Sequence, residues 1–97
     1  MKAESIEIEN VLRPGKTYRA NREKYEAMRE ALVGVLPRSV PGFSVEEMIA
    51  AVKPRLPEAL FPGGETAGWW VKAVQLDLEA KGLVRREGKP LRFRLAA

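Results

Sequence analysis

Proline and glycine punctuate this chain so closely that no segment between breaks exceeds a helix of moderate length. The breaks fall at Pro14-Gly15, Pro37, Pro54, Pro62-Gly63-Gly64, Gly82 and the Gly88-Lys89-Pro90 run. A proline ring removes a backbone donor and clashes with the preceding turn, and glycine supplies the left-handed conformations that sharp turns need. The chain is therefore a series of short elements, and the spacing of apolar residues between breaks decides what each one is. At 97 residues these elements share one core and form a single domain, residues 1–97.

Ile6 and Ile8 alternate with Glu7 and Glu9, the period of a strand with one wet face. Arg13-Pro14-Gly15-Lys16 carries the type II turn signature, and Thr17 to Arg19 either returns as a short strand or leads into a helix. Residues 1–19 are thus an extended amino-terminal segment. Asn21 suits the N-cap of a first helix whose buried face is Tyr25, Met28, Leu32, Val35 and Leu36, closed by Pro37. Val40 is a candidate single strand residue in the loop that follows. Ser44 and Glu47 form a capping box for a second helix, with Phe43 and Met48 as its staple and Met48, Ile49 and Val52 facing the core. Pro57 to Leu60 suits one extra helical turn. A third helix is expected from about Glu65 to Lys81, ending on Gly82. Residues 83–97 form a hairpin, Leu83 to Glu87 and Leu91 to Leu95, with Leu91, Phe93 and Leu95 on one face and Arg92 and Arg94 on the other.

The chain has no cysteine and no histidine, which excludes disulfide scaffolds, zinc fingers, thiol nucleophiles and imidazole bases together. Only oxygen ligands are left for a metal. No apolar run reaches signal-peptide or membrane-span length, so a cytoplasmic protein is expected. The Gly63-Gly64-Glu65-Thr66-Ala67-Gly68 turn lacks the Gly-Lys-Ser/Thr ending of a phosphate loop, and Glu46 and Glu47 point to different helix sides. No catalytic residue, cofactor or small-molecule ligand is suggested, and a non-enzyme is expected.

Three helices followed by a basic two-stranded hairpin is the order of an α+β winged-helix domain, with the hairpin as its wing. The stretch Leu78 to Arg86, Gly88, and Leu91 to Leu95 resembles the end of the recognition helix and the wing of bacterial winged-helix regulators. The net charge of +4, from 17 basic and 13 acidic residues, is concentrated there: residues 81–97 hold six basic residues and one acid. On this reading Arg85, Arg86, Lys89, Arg92 and Arg94 contact phosphates of double-stranded DNA, and Lys72 and Gln75 are the candidate base readers. The alternative is that the wing arginines form the solvated face of an edge strand, opposite Glu7 and Glu9 if the first strand pairs there.

The third helix carries two apolar stripes. Ala67, Trp70, Val71, Val74 and Leu78 make one, and Trp69, Ala73, Leu76 and Ala80 lie nearly opposite. The polar strip between them, Gly68, Lys72, Gln75 and Glu79, is thin for reading bases. The second stripe is covered by the amino-terminal segment, buried in a homodimer, or left as a docking patch centred on Trp69 and Leu76. Pro54 to Gly64 also makes a longer connection than the three- or four-residue turn of a helix-turn-helix.

The run from Phe61 to Gly82, FPGGETAGWWVKAVQLDLEAKG, together with Pro14 to Arg19 and Lys24 to Arg29, resembles a small bacterial family of uncharacterised domains. That resemblance covers most of the chain. It implies no activity and no catalytic residues; the broader likeness to winged-helix regulators implies a third helix and wing that face DNA.

Overall fold

The computed structural model describes residues 4–96 as an α+β domain of three helices and two small antiparallel sheets. Strands β1 (Ser5–Glu9) and β2 (Thr17–Asn21) pair with Ile6 opposite Ala20 and Ile8 opposite Tyr18. The segment after the turn therefore returns as a full strand. Gly15 takes φ +86° and the Lys16 amide donates to the Arg13 carbonyl at 3.2 Å, the turn that Pro14-Gly15 requires. Because the partner of β1 is β2, Glu7 and Glu9 do not face Arg92 and Arg94. That sequence expectation is corrected: the two hairpins belong to separate sheets.

Helix α1 (Arg22–Val35) follows directly, its Asn21 cap accepting the Lys24 amide at 3.0 Å. Its buried residues are Tyr25, Met28, Ala31 and Leu32, with Leu36 just beyond its end, while Val35 is only half-buried. Helix α2 (Val45–Val52) begins at Ser44 with both bonds of the capping box formed. Between them Phe43, not the exposed Val40, makes the strand contact. Its amide and carbonyl exchange hydrogen bonds with Phe93, both 2.8 Å. Gly42, at φ +81°, permits that approach, since a Cβ there would sit 2.5 Å from the Phe93 carbonyl oxygen.

The connection between α2 and helix α3 (Ala67–Ala80) is a 3-10 turn at Lys53–Arg55, the single turn expected at Pro57 to Leu60, closed by the Phe61 amide on the Pro57 carbonyl at 2.9 Å, and a second 3-10 turn at Pro62–Gly64. Its length has a packing reason. It delivers Phe61 into the core at 2% exposure, edge-on to Trp70 with ring centroids 6.3 Å apart. Strands β3 (Val84–Glu87) and β4 (Arg92–Leu95) close the chain, with Val84, Phe93 and Leu95 inward. The Leu95 amide reaches the Pro37 carbonyl at 2.9 Å, so the α1–α2 loop lines the outer edge of β4.

Candidate functional site

One stripe of α3, Ala67, Trp70, Val71, Val74 and Leu78, is buried in the core. The opposite stripe meets the amino-terminal hairpin, and a single carboxylate fixes the contact. Asp77 is fully buried and accepts from three donors on three elements: the Glu9 amide of β1 at 2.8 Å, the Tyr25 hydroxyl of α1, and Lys81. A buried charge is tolerated only when its acceptor sites are filled, and here they are. Burial, then the bond to Asp77, pushes the Tyr25 phenol well above its ordinary value, so it stays a donor throughout the physiological range.

The clamp at Asp77 leaves the first turns of α3 uncovered. Between them and the hairpin lies a groove of about 490 Å³, floored by Ile8, Ala73 and Leu76 and walled by Tyr18 and Trp69, with Glu9, Arg19 and Lys72 around it. Leu76 is 9% exposed and belongs to the floor, whereas Trp69 is 62% exposed. That indole does not float. It stands edge-on to Trp70 at 5.0 Å and 80°, and Trp70 in turn stands on Phe61, so an aromatic chain runs from the core to the surface and favours this placement of the outermost ring.

The expected base-reading strip is differently disposed. Gln75 is 1% exposed and its amide donates to Glu79, which removes it from the surface as a base reader. Glu79 is the bidentate partner of Arg86, at 2.5 Å from Nε and 2.9 Å from Nη2, and the guanidinium also covers the Phe93 ring at 5.5 Å. That bond holds Arg86 still more firmly in its charged form. Arg92 donates to Glu47 at 2.8 Å and to the Gly42 carbonyl at 3.1 Å, and Arg94 pairs with Glu87. Of the seven residues expected to meet DNA, Lys72, Arg85 and Lys89 have no carboxylate partner among the described residues. Surface pairs such as Arg92–Glu47 contribute little, because solvent and salt screen them, and yield readily to a phosphate. Arg86, held by a largely buried bidentate carboxylate and a ring, is much harder to divert.

Among the described residues no group of three or more His, Cys, Asp or Glu side chains is placed to hold a metal, and no helix is long and apolar enough to cross a membrane. Sequence reasoning missed Tyr18 and Asp77 as site residues, and Arg19, legible there only as part of a basic stretch, as a lining residue. Tyr18 follows once Thr17 to Asn21 is paired with β1; Asp77 shows only its i,i+4 pairing with Lys81 locally, because Glu9 and Tyr25 lie far away in sequence.

A model of a family of unknown function (DUF6958) matches residues 5–93. No curated protein and no solved structure matches the chain.

Proposed function

The chain belongs to this family of unknown function, and from that premise we propose a non-enzymatic winged-helix protein that acts by docking a protein partner through the Trp69 groove. The scaffold half of the proposal rests on chain order. Three helices precede the β3–β4 wing, and the Phe43–Phe93 bridge sets an extended segment between α1 and α2 beside β4. In that frame α3 occupies the recognition position. The observation that carries the docking half is the contrast on α3: in its polar strip Gln75 and Glu79 are taken up by Gln75–Glu79–Arg86 contacts and Lys72 alone stays exposed and without a carboxylate partner among the described residues, while beside it an exposed indole stands over an apolar groove. Recognition surfaces favour such anchors, because an aromatic held in place before binding loses little freedom on contact.

The test uses 8-anilinonaphthalene-1-sulfonate as an aromatic probe, with folding followed by amide NMR dispersion. The folded protein is expected to enhance its fluorescence, and Trp69→Ala, with an unchanged amide spectrum, to abolish most of the gain. Equal enhancement by both proteins refutes the groove as a binding site. A second reading, duplex DNA binding, is favoured by the unpaired Lys72, Arg85 and Lys89. Fluorescence anisotropy on mixed-sequence duplex separates the two: binding at low salt that survives Trp69→Ala and is lost in Arg85→Glu/Lys89→Glu replaces docking with DNA binding.

A further inference from the structure

We infer that the occupant of the groove is an extended peptide segment that presents one large apolar side chain flanked by carboxylates. This rests on the docking reading above and adds the chemistry of the partner. The floor and walls, Ile8, Tyr18, Trp69, Ala73 and Leu76, are apolar or aromatic, and about 490 Å³ accommodates one large side chain with its neighbours. The charge lining it is net positive, Arg19 and Lys72 against Glu9, with Glu7 as the cross-strand neighbour of Arg19. Among the described residues Glu9 is the only acid lining the groove, and Lys81 lies 3.8 Å from its carboxylate. The other charged lining residues, Arg19 and Lys72, have no carboxylate within ion-pair distance among the described residues. Such a rim attracts acids and repels basic segments.

A peptide fits better than a compact small molecule because one wall is a strand edge. Among the described residues no strand pairs beyond β2, and Tyr18 and Arg19 are exposed where they line the groove. The Arg22 amide bonds to the Glu4 carbonyl at 2.9 Å, and strand alternation from that pair turns the Thr17 and Arg19 backbone groups away from β1. An unpaired edge beside an apolar groove supplies main-chain bonds for affinity and a pocket for specificity.

A random dodecapeptide display library, selected on the immobilised full chain, tests this directly. The enriched peptides are expected to combine Trp, Phe or Leu with at least two acidic residues and a net negative charge. A synthetic consensus peptide should weaken at least tenfold on Trp69→Ala and severalfold on Lys72→Glu or Arg19→Glu. Its counterpart with lysine at every acidic position should bind the Arg19→Glu/Lys72→Glu protein better than the native one. All of these positions are exposed, and amide NMR dispersion verifies that each variant folds. Trp69-dependent enrichment of neutral or basic peptides overturns the acidic partner and leaves the docking reading standing. Absence of any Trp69-dependent enrichment overturns both. A doubled light-scattering mass that Trp69→Ala halves makes the occupant a second copy of the chain, which also overturns the inference.

Discussion

Gly42 and Gly15 both sit in the left-handed region, at φ +81° and +86°, yet substituting them should have very different consequences. Alanine at either position bears the backbone cost of that conformation, about 1–2 kcal/mol. At Gly15 there is nothing else to add, because no atom lies within 4 Å of the new methyl. At Gly42 the Cβ would stand 2.5 Å from the Phe93 carbonyl oxygen and 2.9 Å from its carbon. Both are backbone atoms of β4 and cannot swing aside as a side chain would. Relief requires the Phe43 segment to retreat from β4, which breaks two 2.8 Å backbone hydrogen bonds at about 1 kcal/mol each. Gly42→Ala should therefore lose about 2 kcal/mol more than Gly15→Ala. For a domain of this size that separates their midpoints by roughly 8–16 °C. Thermal and urea unfolding followed by circular dichroism measure the difference, and amide NMR should show the Phe43 and Phe93 signals moving in Gly42→Ala alone. Equal destabilisation by the two substitutions refutes the bridge as an energetic element of the fold.

Phe61→Ala should cost about 3–5 kcal/mol, as for other buried phenylalanines, and denaturant titration should show a far larger loss than for the exposed Trp69→Ala. The Ser44 amide bond and then Arg92 hold Glu47 below its ordinary value. Its contribution is thus present above the unfolded carboxylate pKa and is lost as pH falls through the folded one; acid unfolding of Glu47→Gln should show a shallower decline below about pH 4.3. Tyr25 has the opposite sign: its raised pKa gives stability that is complete below about pH 10 and is lost as pH rises beyond it. Absorbance titration at alkaline pH should find one phenol ionising only with unfolding, and Tyr25→Phe should remove that phase. If the protein binds duplex DNA through Lys72, Arg85 and Lys89 alone, the logarithmic salt slope should be about −2.7, or about 40-fold weaker binding between 50 and 200 mM salt. Full engagement of the five basic wing residues would give about −4.5.

Features set by neighbours in the chain were legible before the structure. Asn21, the Ser44–Glu47 box, the Pro14-Gly15 turn and the Gly82 stop each act within about five residues, so side-chain chemistry and backbone sterics specify them alone. What escaped was set by partners far along the chain. Gln75 occupies a position that looks solvent-facing by helical spacing, yet it is buried beside Glu79, the carboxylate against which the returning chain places Arg86. Arg92 and Arg94 looked like a phosphate face because Glu47 is 45 residues from Arg92 and because Glu87, in the same stretch, was counted as charge and not as a partner. Phe61 lies in a connection longer than a helix-turn-helix turn, and its place in the core depends on Trp70, which stands edge-on to it.

The doubled apolar stripe of α3 is where sequence and structure meet most closely. A helix apolar on two sides must have two neighbours or leave one side bare, and this chain does some of each. The core takes one side and β1 takes part of the other, pinned where the Glu9 amide meets Asp77. Trp69 lies eight residues before Asp77, about 12 Å along the axis, while the paired strands of the hairpin are only about 5 Å apart. A ribbon that narrow, clamped at Asp77, covers Leu76 and leaves Trp69 in solvent. Extending the cover would need a longer hairpin; keeping Trp69 soluble would need only a polar side chain. The chain has neither, and instead braces the exposed indole through Trp70 and Phe61. Ordering a large apolar side chain at the surface brings no benefit to folding comparable to burying it, so the bracing favours a surface built for contact over one left unfinished.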